Sequence, residues 1–470
     1  MRHRGGYNVP LQGKPSREVH VLPPPETLYL PLRSRRLRFS QVCVGEGQEV
    51  RPGEVLARDV GDHGVPLLAP RAGTVRLGAV ARHIVLENVV EAEEEPFDPR
   101  EEAEHIPKGM GATGIKRYKL LELGAWQFFC DAHSGQVPNP FGIPQAVIVS
   151  TIRLEPFLAR GDVQMRKRLS SFTRGLEQLQ GLLEYQPIHL VVPDVKSEFA
   201  AKVRETLRGY AWVKMTQVPL RYGLDGFHVL ARALGLKRDP DRPVWGLTAE
   251  GVLAVDRALT LSRPSTVRIV AVGGPGAGKA VHVKAMAGYP VQKILEACEV
   301  GERVRVVAGG ALTGEAWPPE QMGLDTECAG LTILPDEVPR KLLGWARLGW
   351  KEQSYAPYYL SHLRKPFVER LTTGVRGERR ACVSCQLCEE VCPAGIWPHL
   401  IHKYLYQDKL EQAEAARLDL CTECGLCAYV CPSKLELLQQ FQKAKADIQA
   451  ELAEEAEDLE EAAAGKEVGQ

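Results

Sequence analysis

Two cysteine runs late in the chain constrain it more than any other feature: Cys382-Val-Ser-Cys385-Gln-Leu-Cys388-Glu-Glu-Val-Cys392-Pro393 and Cys421-Thr-Glu-Cys424-Gly-Leu-Cys427-Ala-Tyr-Val-Cys431-Pro432. Each is a C-x2-C-x2-C-x3-C-P pattern. Three thiolates two residues apart on a tight loop reach three irons of one 4Fe-4S cube, and in two-run sequences the fourth comes from the other run. The spacing predicts two 4Fe-4S clusters, one on Cys382, Cys385, Cys388 and Cys431, the other on Cys421, Cys424, Cys427 and Cys392. Pro393 and Pro432 stop each run from continuing as helix.

Zinc and disulfides are the plainer alternatives. Zinc is held tetrahedrally, usually by paired C-x2-C knuckles, and leaves the third and fourth cysteine of each run without a use. Disulfides need an oxidising compartment, and the opening Met1-Arg-His-Arg-Gly-Gly has no apolar stretch of the export type. The remaining cysteines, Cys43, Cys130, Cys298 and Cys328, stand singly and read as small buried hydrophobes.

At 470 residues the chain is long enough for three or four domains. Lys plus Arg and Asp plus Glu are balanced at 59 each, so no global field argues for nucleic acid. No apolar run approaches the ~20 residues of a membrane helix. A chain like this can sit on a membrane complex without crossing the bilayer itself.

The expected fold class is multidomain α+β. Residues 1–100 hold a proline-rich extended strap to about residue 37, then a β module. There Val44-Gly-Glu-Gly-Gln-Glu-Val50 and Ala69-Pro70-Arg-Ala-Gly73-Thr-Val75 resemble the barrel-sandwich of biotinyl and lipoyl carriers. The hairpin that displays a modifiable lysine in carriers reads Arg58-Asp-Val-Gly-Asp-His63-Gly64 here and has none. Residues 101–264 alternate strand runs (Ala146 to Ser150, Ile188 to Pro193) with helical spacing (Phe172, Leu176, Leu179, Leu182, Leu183; Phe199, Val203, Leu207), followed by a helix from Ala249 to Leu261. That course predicts a parallel, Rossmann-like α/β domain. Short strands and glycine turns fill 265–335, an aromatic connector 336–375, a helical cluster domain 376–450 and an acidic tail 451–470.

Two glycine motifs fail on their surroundings. Gly273-Gly-Pro-Gly-Ala-Gly278-Lys279 spells a phosphate loop, but Ala280 stands where Ser or Thr would hold magnesium. Gly109-Met-Gly111-Ala-Thr-Gly114 follows Pro107 rather than a buried strand and reads as a turn.

In this order the segments resemble the C subunit of the Rnf complex and the A subunit of the sodium-translocating NADH:quinone oxidoreductase, Nqr. The likeness runs through Gly6-Tyr-Asn-Val-Pro10-Leu-Gln-Gly13, Leu120-Leu-Glu-Leu-Gly124-Ala-Trp126, Val270-Ala-Val-Gly273-Gly-Pro275 and Leu360-Ser-His-Leu363. The cysteine runs resemble Rnf C, whereas Nqr A subunits lack them. The resemblance implies a β-grasp domain over 265–335. Rnf C carries a glycine-rich flavin loop where this chain has Leu123-Gly124-Ala-Trp126-Gln-Phe128-Phe129-Cys130, so FMN is not expected.

What the resemblance implies is a peripheral electron-transfer subunit of an ion-translocating membrane oxidoreductase, on the cytoplasmic face of the cell membrane. Its partners would be membrane redox subunits and a soluble donor, either ferredoxin or an NADH-oxidising subunit. No group for bond chemistry is expected beyond the thiolates. Two other readings stand beside it: an NADH and FMN dehydrogenase of the Rnf C kind, and a quinone-binding module with structural clusters.

Overall fold

In the computed structural model, residues 5–61, 63–91, 111–183, 186–194, 197–337, 368–374 and 378–451 are described. The chain separates into two compact units. One comprises Met1–Asn8, Arg340–Phe367 and Val375–Gln470; the other comprises Val9–Pro339 and Val368–Gly374.

Among the described residues, the larger unit holds four sheets. Leu28–Pro31, His83–Val90, Ala72–Leu77 and Glu49–Val50 form one, and Gln41–Val42, Val55–Arg58 and Pro66–Leu68 another. Leu30, Leu56, Leu67, Val75 and Ile84 are fully buried in a common core, as alternating apolar positions on half-buried strands should be. Arg58 makes a two-point ion pair with Glu122, at 3.0 and 2.7 Å, tying the lysine-free hairpin to the helix Ala112–Glu122.

A five-stranded sheet runs in the order Val213–Val218, Ile188–Pro193, Ala146–Ser150, Val244–Thr248, Phe129–Asp131. The first four are parallel to their neighbours and the last is antiparallel. The helices expected from apolar spacing are Leu169–Leu182, Glu198–Thr206 and Ala249–Leu261. Ser197 and Thr248 cap the latter two by accepting Ala200 N–H and Gly251 N–H. Gly175 lets the first helix pass so near the third that a side-chain carbon would strike the Val252 carbonyl.

The remaining sheet is mixed, in the order Val19–Val21, Val281–Met286, Val267–Gly273, Gly330–Pro335, Val304–Ala308, Glu315–Ala316. Gly273 to Ala280 is the turn of an antiparallel hairpin between Val267–Gly273 and Val281–Met286, with no helix after it. Lys279 pairs with Glu299 at 2.6 Å instead of reaching for a phosphate.

Three expectations change. The strap also pairs, which its sequence did not indicate: Val19–Val21 lies parallel to His282 to Lys284 as an edge strand. The region 265–335 also contains a helix, Val291–Ala297, whose Ile294 is fully buried. Gly111 caps a helix and Gly114 lies within it, because Tyr118, Leu120 and Leu121 give that segment a face to bury. The aromatic connector and the acidic tail lie outside the described residues, apart from 336–337, 368–374 and residue 451.

Candidate redox centre

The smaller unit is built around the two cysteine runs. Leu387–Glu390 and Leu426–Tyr429 are short helices that carry the third cysteine of each run and pack on one another. Between the runs lie Pro398–Leu405 and Leu410–Ala415, and a further helix covers residues 437–451. Ile401, Ala413, Leu418 and Phe441 are buried in the core that holds both loops in place.

Each run repeats one backbone device. Ser384 and Gln386 in the first, Glu423 and Gly425 in the second, have positive φ of 54°, 62°, 53° and 74°. Left-handed residues alternating with right-handed ones turn successive N–H groups inward, forming a concave nest that attracts an anionic group. Three of these four positions are not glycine, a strain that the surrounding loop has to hold.

Cys382, Cys385, Cys388 and Cys431 line one cavity, with His399 and His402. Cys392 belongs to the opposite group: Cys421, Cys424 and Cys427 each feel its charge. Cys431 thus lies with the first three cysteines of the other run, and Cys392 lies near Cys421, Cys424 and Cys427. Among the described residues no three His, Cys, Asp or Glu side chains converge on a point fit for a single metal ion. Four thiols around one cavity, as Cys382, Cys385, Cys388 and Cys431 are, make the donor set of an iron–sulfur cluster.

The donors fit such a group. Backbone N–H groups of His399, Glu423 and Leu426 donate to the sulfurs of Cys388, Cys421 and Cys424, and the Thr422 hydroxyl also reaches Cys424. Burial pushes the thiols of Cys388 and Cys424 up to about 12 and that of Cys421 up to about 11. Bound iron would deprotonate them outright. Exposure differs between the cysteines of the first run: Cys385 is exposed and Cys388 buried.

Several residues here have no signature in the sequence. Gly5 and Gly6, at φ of 67° and 72°, bring the beginning of the chain against the first loop, where Gly6 N–H donates to Val391 O at 2.9 Å. A side-chain carbon on Gly5 would collide with the Cys392 carbonyl. His399 and His402 reach the cavity from the helix Pro398–Leu405, at a spacing of three that puts both on one face. Of the acidic residues beside the runs, Asp419 pairs with Arg417 and Glu423 with Lys445.

Of the single cysteines, Cys298 and Cys328 are buried as expected, Cys130 is partly so, and Cys43 is exposed, a correction that follows from its place beside an edge strand. Burial raises the Cys328 thiol to about 12 and those of Cys130 and Cys298 to about 11, so none of these three is an activated nucleophile. Trp126 and Phe129 of the Leu123 to Cys130 segment are core, and Phe128 is half-buried beside them. Trp126 stacks on Phe129 at 4.2 Å, both edge-on to Trp245, and Trp126 N–H donates to Pro138 O at 2.8 Å.

Residues 374–435 match the family described as 4Fe-4S dicluster domain, and residues 112–208 match the NqrA second alpha/beta domain. The NqrA protein of Neisseria gonorrhoeae, part of its Na+-translocating NADH-quinone reductase, is 27% identical over 417 residues, covering 87% of this chain and 90% of that protein. The chain is a homologue of NqrA. Its likeness to the Neisseria meningitidis serogroup C protein is 28% over the same coverage, and to that of Actinobacillus pleuropneumoniae serotype 3 it is 27%. The resemblance read from the strap to the cysteine runs therefore holds, and this NqrA homologue carries a dicluster domain. Among the described residues no helix is long and apolar enough to cross a membrane.

Proposed function

We propose that this NqrA homologue is a peripheral electron-transfer subunit of an Rnf- or Nqr-like ion-translocating oxidoreductase, relaying electrons through two 4Fe-4S clusters. The observation that supports the reading is that Cys431 lines a cavity with the first run's cysteines while Cys392 lies near the second run's, on two loops with positive φ at matching positions.

Cys382, Cys385, Cys388 and Cys431 would hold one cluster and Cys421, Cys424, Cys427 and Cys392 the other. When bound, such clusters supply one-electron steps at potentials set by charge, hydrogen bonds to sulfur and exposure. The chain's own residues do the tuning. The N–H groups of His399, Glu423 and Leu426 stabilise negative charge on sulfur, and the buried shell of Ile401, Leu418 and Phe441 keeps water out. The exposed Cys385 marks the edge where a soluble donor, ferredoxin or an NADH-oxidising subunit, would exchange electrons. Membrane redox subunits on the cytoplasmic face would be the other terminal.

The parallel sheet supports a Rossmann-like domain, the paired small sheets a barrel-sandwich, and the mixed six-stranded sheet a β-grasp domain. Against an FMN and NADH site in this chain stands the fully buried packing of Trp126 and Phe129 where Rnf C has its flavin loop.

The test is anaerobic purification with iron, sulfide and FMN analysis, followed by EPR after dithionite and after NADH. About eight irons and two interacting reduced clusters that do not respond to NADH are expected. Stoichiometric FMN with clusters reduced by NADH would replace this reading with that of a dehydrogenase subunit.

A further inference from the structure

One cavity of the larger unit has nothing to do with the cysteines. It lies between the helix Ala249–Leu261 and the strands Val267–Gly273 and Val281–Met286, has a volume of ≈ 60 Å³, and takes Arg168, Arg257, Arg268, Lys284, Glu250 and Ser265 into its wall. Four of these carry positive charge and one negative.

The single acid is already engaged. Arg268 donates from Nη2 to Glu250 at 2.8 Å and from Nη1 to the Thr326 carbonyl at 2.6 Å, with its guanidinium 4.9 Å over the Phe128 ring. Its Nε is buried with no acceptor among the described residues, and so is the hydroxyl of Ser265, a residue only 7% exposed. A smaller cavity of ≈ 10 Å³ shares Ser265 and Arg268 and adds Gln127 and Thr326, whose Oε1 and Oγ1 are also buried and unpartnered among the described residues. A buried polar atom left without a partner destabilises the fold. One water would fill the smaller space, but a water brings no charge to balance the larger one.

We propose that this cavity binds a phosphate-type oxyanion, with Arg268 Nε and Ser265 Oγ at its inner end and Arg168, Arg257 and Lys284 around its mouth. The volume exceeds what a single water needs and leaves room for a phosphate group. Arginine forks and a lysine ammonium are the side chains that recognise it. Arg168 and Lys284 are exposed and can be changed without disturbing the core.

The experiment is calorimetric titration of the full, cluster-loaded chain with inorganic phosphate and, separately, with glycerol 3-phosphate. Wild type is expected to bind at least one of them in the submillimolar range. The double variant Arg168→Gln/Lys284→Gln should bind at least about tenfold more weakly, while Lys214→Gln, an exposed charge elsewhere on the same unit, binds as wild type does. Tighter binding of the ester identifies the group as part of an organic phosphate; equal binding identifies the free anion. Ser265→Ala, which removes a buried hydroxyl without opening a large cavity, gives the same reading if the double variant unfolds. Wild-type binding weaker than ~10 mM for both probes, or undiminished binding in both altered proteins, overturns the proposal.

Discussion

Lys445 neutralises Glu423 at the second cysteine loop: its Nζ lies 2.5 Å from the carboxylate and 3.1 Å from the carbonyl oxygen of Cys421. The pair is about one-quarter exposed on the lysine side and one-third on the glutamate side, so solvent screens it incompletely. Lys445→Met leaves Glu423 uncompensated next to the site. The midpoint potential of that cluster should fall by on the order of tens of millivolts, with Lys445→Arg close to wild type. Anaerobic EPR titration reads the shift; a midpoint unmoved in Lys445→Met refutes it.

Exchange of the fourth cysteines makes a sharper prediction. Cys392→Ser should damage the cluster on Cys421, Cys424 and Cys427 although it sits in the first run, and spare the one on Cys382, Cys385 and Cys388. Iron should drop from about eight toward about four per chain, with one reduced EPR signal retained. Loss of the other signal would mean that each run holds its own cluster.

Gly5 and Gly395 both have φ near 65°, but only Gly5 has the Cys392 carbonyl where a side chain would go. Gly395→Ala should therefore cost only the backbone penalty, about 1 kcal/mol. Gly5→Ala adds a collision with the first loop and should speed cluster loss to a chelator several-fold. Equal rates in the two variants would remove the N-terminal segment from the account of cluster retention.

Glu122 is nearly fully enclosed, and Glu122→Ala strands the Arg58 guanidinium in a half-buried place. Unfolding in urea should show a loss of about 3 kcal/mol, while Arg58→Met/Glu122→Leu together should come close to wild type. A double variant as unstable as the single one would show that the hairpin needs the charge itself.

Burial pushes the carboxyl of Asp225 up to about 6, against backbone N–H groups of Leu154 and Gly223 that pull it down. Its folded form thus binds a proton more tightly than the unfolded chain. The resulting stabilisation is full below the ordinary aspartate value of 3.8 and is lost as pH rises through about 6. The stability of Asp225→Asn relative to wild type should accordingly improve by up to about 3 kcal/mol between pH 4 and pH 7. Parallel denaturation curves at the two pH values test this, and a constant difference contradicts it.

Local pattern carried the readable part of the fold. Phe172, Leu176, Leu179 and Leu182 repeat at helical spacing and lie buried along Leu169–Leu182; the helix from Ala249 to Leu261 falls where its apolar face begins and ends. The edge strand Val19–Val21 was hidden because its partner, His282 to Lys284, is distant in sequence and its own side chains are exposed. Val291–Ala297 was hidden because seven residues barely complete two turns. At the redox centre the cysteines announce themselves by spacing. His399, Lys445 and Gly5 reach it only through tertiary packing, which spacing along the chain does not encode.

The cavity of Cys382, Cys385 and Cys388 closes only with Cys431, the last cysteine of the chain. During synthesis the first loop must wait, one wall missing, until the whole second run has left the ribosome. If the cysteines ligate as proposed, a chain interrupted between the runs would emerge with neither receptacle complete, and iron delivery would be an event of the finished domain and not of its first half.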